Sequence, residues 1–169
     1  MNSELELLHL YRSPGHNYFG QNGQPPGKNA MEEVEEFFCV AGRGVEGDRF
    51  FDYREDYKGQ ITFFSDAVYQ TLCAMFRVWD KPPSVFRRNE IVRGAGLNSL
   101  IGREFEIQGV WFFGVESCKP CYWMDQAFCP GAEKALQGRA GLRARILTSG
   151  VLTVERKLII QESAFALQS

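Results

Sequence analysis

The stretch Glu104-Phe105-Glu106-Ile107-Gln108-Gly109-Val110-Trp111-Phe112-Phe113-Gly114-Val115 contains two alternating runs broken at Gly109. Successive side chains of a strand point to opposite faces, so Phe105 and Ile107 share one face. Val110 and Phe112 continue that face after a turn. This is the pattern of a β-hairpin with one apolar side. A second hairpin signal sits at Ser149-Gly150, between alternating runs from Leu142 to Leu147 and from Val151 to Ile160.

Working outward, Glu4 to Tyr11 reads as a strand stopped by the turn Ser13-Pro14-Gly15. Gly20 to Lys28 is a loop, and Val34 to Ala41 is a further strand. Ile61 to Phe64 reads as a short buried strand. Ser65 then offers an N-cap, and Asp66 suits a first helical turn. Ala67, Val68, Leu72, Met75 and Phe76 recur at helical spacing, which predicts a helix from Asp66 to about Phe76. A strand starts near Asn89, and Glu133 to Leu136 predicts a short helix closed by Gly138. Strands outnumber helices and are joined by Gly-rich turns. The expected fold is mainly β, a β-barrel with a few short peripheral helices.

The bulk properties fit one domain over residues 1–169, with no repeat and no linker. Hydrophobic residues make up 44% of the chain, enough for a real core without a disulfide or metal staple. The formal charge of −2 gives no global basic face, so no nucleic-acid partner is expected. Five cysteines (39, 73, 118, 121 and 129) do not form the even set of a secreted disulfide framework. Nothing near the N-terminus resembles a signal peptide, and no apolar run is long enough to span a membrane. The expected location is cytoplasmic, with thiols reduced.

Cys118-Lys119-Pro120-Cys121 is the first segment that could carry chemistry. A thiolate is both a nucleophile and a metal ligand, and Lys119 supplies positive charge beside it. Four readings stay open. The cysteines are buried small hydrophobes; or, with Cys129, they form a zinc knuckle short of a fourth ligand; or they are a redox pair outside its usual βαβ context; or one of them is a functional thiol. Arginines form the second group. Arg143 and Arg145 share a strand face near Arg139, and Arg87 and Arg88 precede Asn89. Guanidinium forks suit phosphate oxygens, although a solvated charged face explains any one of them. Gly44-Val45-Glu46-Gly47-Asp48-Arg49 lacks the ending of a P-loop. It reads as a structural turn in which Asp48 and Arg49 cap backbone groups or pair with each other. His16 reads as a surface loop residue.

Five stretches, in this order, resemble the MOSC family, named for the C-terminal domain of molybdenum cofactor sulfurase. They are Gly42 to Arg49, Phe86 to Val92, Leu100-Ile101-Gly102, Cys118-Lys119-Pro120-Cys121, and Gly138 to Arg145. The stretch Ser13 to Gly20 is similar to that of a small stand-alone bacterial branch. The resemblance implies a MOSC-type β-barrel and makes Cys121 the metal- or sulfur-bearing cysteine, with Cys118 auxiliary. It implies that Arg87 and Asn89 help hold a molybdenum cofactor (molybdopterin). Lys119, Arg139 and Arg143 are the further cofactor-binding candidates. Phe50 departs from the His or Tyr of many relatives. The chain also lacks the N-terminal barrel domain of the family's reductases and the aminotransferase-like domain of a complete sulfurase. Two activities follow from the resemblance. One is a molybdenum-cofactor carrier or small reductase of N-oxygenated substrates. The other is a sulfur carrier accepting persulfide on Cys121 for metal–sulfur cluster or cofactor assembly. The implied partners are a cysteine desulfurase or a redox partner, and the small-molecule cofactor. A non-enzymatic interaction domain with structural cysteines is the third class.

Overall fold

The computed structural model describes residues 5–18, 23–94 and 96–155. Its elements are β1 (Glu6–Arg12), β2 (Glu32–Val34), β3 (Glu36–Val40), β4 (Gly44–Val45), β5 (Ile61–Ser65), α1 (Asp66–Phe76), β6 (Glu90–Arg93), β7 (Glu104–Ile107), β8 (Val110–Ser117), α2 (Trp123–Ala127), α3 (Ala132–Ala135), β9 (Leu142–Ile146) and β10 (Gly150–Thr153). Glu4, residues 20–22 of the expected loop and residues 156–160 of the expected last strand lie outside the described residues.

The hairpin at Gly109 forms in the expected register, with Phe105 opposite Phe112 and Ile107 opposite Val110. Its two turn residues, Gln108 and Gly109, have φ of 52° and 85°. That left-handed pair matches the strand twist, and Gly adopts it without a Cβ penalty. Helix α1 spans the expected residues. The Ser65 side chain accepts the Val68 N–H at its start, and Arg77 ends it in the left-handed region.

Seven strands form one sheet in the order β2-β1-β6-β5-β9-β8-β7, and β10-β3-β4 form a second. Neighbours are antiparallel except β5 and β6, which α1 joins as a parallel crossover. No closed barrel is found among the described strands, because the larger sheet keeps edges at β2 and β7. The expected hairpin at Ser149-Gly150 is also corrected. Strand β9 already has β5 on one side and β8 on the other, so β10 has no free edge there. It crosses to the second sheet and pairs with β3, Val151 opposite Phe38. The single strand expected from Val34 to Ala41 divides between the two sheets, β2 pairing with β1 and β3 with β10. Among the described residues, no helix is long and apolar enough to cross a membrane.

Two apolar cores share the larger sheet. Ile61, Phe63, Phe105, Phe112, Leu142 and Ala144 face the smaller sheet, where Phe37, Cys39 and Leu152 meet them. On the other face, Phe64, Ile91 and Tyr11 pack beneath Leu72 and Cys73 of α1, Phe86, Met124 of α2 and Ala132 of α3. Period-2 alternation along β5 divides Phe63 and Phe64 between these cores.

Candidate functional site

Thr62 and Arg143 are register partners on β5 and β9. Both line an open cleft. Leu142, Ala144 and Ile146 are buried in the inter-sheet core, so alternation turns Arg143 to the opposite, cleft side.

Among the described residues, five cationic side chains line the cleft, Arg49, Arg87, Arg88, Lys119 and Arg143, and no Asp or Glu does. Three of the cations are anchored to backbone. Arg87 donates from Nη1 to the Asn29 carbonyl at 2.7 Å, and from Nη2 to the Gly15 carbonyl at 2.9 Å and the Ser13 hydroxyl at 3.3 Å. Arg49 donates to the Arg87 carbonyl at 3.0 Å and to the Asp48 carboxylate at 3.0 Å. Arg88 donates to the carbonyls of Ala140 and Phe86. Burial, and then the neighbouring Arg49, pull the Arg87 guanidinium down to about 10. Arg49 is likewise lowered, chiefly by burial. Arg143 pairs with Glu116 at 3.3 Å, and Lys58 holds the same carboxylate at 2.7 Å. That hydrogen bond from Lys58 is the main reason Glu116 lies below the usual carboxylate range.

Aromatic rings are interleaved with these cations: Arg49 lies over the Phe50 ring and Arg87 over that of Tyr18. Phe50 stacks on Tyr57 with centroids 5.4 Å apart, and His16 meets Phe50 edge-on at 4.9 Å. Tyr18 stacks on Trp123 of α2. Burial lowers the His16 imidazole below its ordinary value, and Arg49 and Arg87 lower it further.

Sulfur also lines the cleft, with Cys118, Cys121 and Met124. The Cys118 N–H donates to the Gly141 carbonyl at 2.8 Å, and its thiol is buried in the helical core. Cys121 is half-buried, and its carbonyl accepts the Met124 N–H at the start of α2. The backbone between them makes no turn or bend. A tight dithiol turn is therefore not formed. Gly141, at φ +118°, is what lets this corner close up. A Cβ there would collide with the Phe63 carbonyl and press on Arg88 Nε and Cys118 Sγ.

The structure brings Cys118, Cys121, Lys119, Arg87 and Arg143 of the expected set to one cleft. Two expected residues do not line it. The Asn89 amide is buried and fully engaged: Oδ1 accepts from the Thr62 N–H and hydroxyl, and Nδ2 donates to the Tyr11 carbonyl. Its polar capacity is used in tying three strands. Arg139 donates from Nε to the Ala135 carbonyl and lines a separate cleft beside Ser65, Leu97 and Asn98. The turn reading of Gly44 to Arg49 agrees with the observed contacts. Asp48 accepts the N–H groups of Ser13 and Phe50 and pairs with Arg49. The same turn nevertheless delivers Arg49 and Phe50 to the cleft. Sequence reasoning missed this, along with His16, Tyr18 and Tyr57, because they come from two segments, one after β1 and one between β4 and β5, that meet only in the fold. Among the described residues, no group of three or more His, Cys, Asp or Glu gathers to hold a metal ion.

No family model matches the chain, and no curated protein matches it by sequence. Solved structures do match. YuaD protein from Bacillus subtilis aligns with a TM-score of 0.68 at 14% identity, over 89% of this chain and 91% of that one. YiiM from Geobacillus stearothermophilus aligns at 0.63 with 13% identity, over 88% and 71%. YiiM from Escherichia coli aligns at 0.60 with 14% identity, over 92% and 67%. At such identities the likeness is one of fold.

Proposed function

We propose that the cleft binds the molybdenum cofactor, with its phosphate toward the cationic wall and Cys121 as the protein's ligand to the metal, and that the chain is a cofactor carrier or a small reductase of N-oxygenated substrates. The observation that carries this reading is one cleft with five cations, no wall carboxylate and an accessible thiol. Anchored arginines are a fixed field for phosphate oxygens. Among the described residues Cys121 belongs to no cluster of three or more ligating side chains, and a thiolate without such a cluster cannot hold a bare metal ion well. It suits a metal that arrives with its own soft sulfur donors, as a molybdopterin does. When bound, the cofactor would supply the redox-active metal. Arg49, Arg88, Lys119 and Arg143 would neutralise the phosphate. Arg87 would also neutralise the phosphate, and its guanidinium has a second role, tying Ser13, Gly15 and Asn29 to the sheet beside His16 and Tyr18. Elemental analysis tests this reading. Protein from a cofactor-competent host should carry molybdenum and pterin, and protein from a cofactor-deficient host should not. Equal metal content from both hosts removes the reading.

The same half-exposed Cys121 in a cationic cleft also favours sulfur carriage, with persulfide sulfur accepted from a cysteine desulfurase. Intact mass after incubation with a desulfurase and cysteine tests it, since loading adds one sulfur to Cys121.

A further inference from the structure

We propose that His16 is an anion-binding residue of the cleft whose contribution depends on its charge, so that the site holds a tetrahedral oxyanion more tightly when the imidazole is protonated. This deepens the cofactor reading and rests on it; the oxyanion is the cofactor's terminal phosphate.

Placement carries the inference. His16 lies in the cleft wall with Arg49, Arg87 and Arg88 and no carboxylate. Phe50 at 4.9 Å and Tyr53 at 6.0 Å both meet its ring edge-on, so the ring's position is defined by packing. Its own carbonyl accepts from the Asn29 side chain, which fixes the backbone from the other side. Charged and titratable groups from several described elements surround it. Arg49 and Asp48 come from the turn before Phe50, Arg87 from the segment before β6, and Tyr53 and Tyr57 from the loop beyond. Cys118, Cys121, Lys119, Arg88 and Arg143 share the cleft. The arginines and lysine hold one charge across the pH range where an imidazole titrates. His16 is the side chain in this wall whose ordinary titration falls between pH 5 and 8.

The two cations nearest His16, together with burial, disfavour its protonation. An oxyanion bound among those arginines reverses that field. Linkage then requires reciprocity: protonation of His16 strengthens anion binding by the same factor by which the anion favours protonation. The neutral ring is a hydrogen-bonding group, and the protonated ring is a sixth positive charge in the cleft.

Sulfate is the probe, because it keeps a double charge across this range. Titration of the whole chain with sulfate at pH 5 and pH 8 should show affinity higher at pH 5 by at least about fivefold. His16→Gln should remove that difference, binding sulfate equally at the two pH values with the thermal melt kept. The chain holds only two histidines, His9 and His16, so their ring protons are separable by NMR in the unmodified protein. Saturating sulfate should raise the His16 titration midpoint by the logarithm of the same factor and leave His9 in place. Sulfate binding that is equal at both pH values, or an unmoved His16 midpoint, overturns the assignment to His16 and leaves the anion cleft standing. Unchanged pH dependence in a folded His16→Gln variant does the same. Absence of sulfate binding at both pH values overturns the cleft reading and the His16 assignment together.

Discussion

Replacing Glu90 with Met should stabilise the protein, and by an amount that grows with pH. Glu90 stands on β6 opposite Leu10 on one side and Phe63 on the other. It is wholly buried, and neither carboxylate oxygen has a hydrogen-bond partner among the described residues. Burial therefore holds its carboxyl well above the ordinary value, and its charge in turn adds to the upward push on the buried Cys39 thiol. The folded state binds the proton more tightly than the unfolded state does. The stability compatible with neutral Glu90 is complete below the unfolded carboxyl pKa and declines as pH rises from there toward the folded value. The slope is about 1.4 kcal/mol per pH unit. A further ~1–3 kcal/mol is the pH-independent cost of an unsatisfied buried polar group. Met matches Glu in length and flexibility and fills the same space without polar atoms. Urea unfolding of both proteins at pH 5, 6 and 7 measures the difference. The gain in Glu90→Met should be present at pH 5 and should widen as pH rises toward the folded value, with a limiting slope of about 1.4 kcal/mol per unit. A gain that stays flat with pH, or a loss at all three values, refutes the account of a neutral, unpartnered carboxyl.

Other consequences are more local. Iodoacetamide on the native protein should modify Cys121 and Cys129 and spare the buried Cys39, Cys73 and Cys118; peptide mass spectrometry before and after denaturation reads this directly. Cys121→Ala should keep its thermal melt and lose molybdenum or persulfide loading, whereas Cys118→Ala should keep a substantial part of the loading and lose some stability through its place in the helical core. Asp48→Ala should cost about 3 kcal/mol, because it strands the buried Arg49 guanidinium and the N–H groups of Ser13 and Phe50; denaturant midpoints check it. Gly141→Ala should lower the melting temperature and disturb the cleft, since the new methyl meets the Phe63 carbonyl and the Cys118 sulfur.

Local signals were legible in the sequence where one segment decides its own structure. The Gln108-Gly109 turn and the helix capped by Ser65 depend on residues within a few positions of each other. Two errors share a different cause. Whether the run after Ser149 folds back on β9 depends on whether β9 has a free edge, and β5 and β8 occupy both. Alternation in a single strand carries no information about its neighbours. The site divides in the same way. The cysteine segment and the arginines of β9 and of the approach to β6 are readable as types. Asn89 and Arg139 could not be sorted from Arg87 and Arg143 on residue type alone. Which polar groups remain available after the backbone's demands are met is a tertiary property: Asn89 gives its whole amide to Thr62 and Tyr11.

The cleft's charge distribution explains why an anion would belong there. Arg49 lowers the affinity of Arg87 for its proton and Arg88 lowers that of Arg49, and both Arg87 and Arg49 are largely withdrawn from water. Asp48 offsets part of this, but its carboxylate is also engaged with two backbone N–H groups. Glu116 is shared between Lys58 and Arg143 at the rim. The wall thus concentrates like charges whose positions are set by backbone contacts rather than by each other. Such an arrangement costs free energy in the empty protein and is relieved by a bound counter-charge. Because the arginines are already held, an incoming phosphate would lose little to side-chain ordering, which is the advantage of a preorganised site. The thiol differs: Cys121 sits outside the packed helical core that holds Cys118, on the same cleft. A fixed anion site next to an accessible soft donor selects for a ligand carrying both a phosphate and a thiophilic centre, and this pairing favours a cofactor over a simple oxyanion as the cleft's occupant.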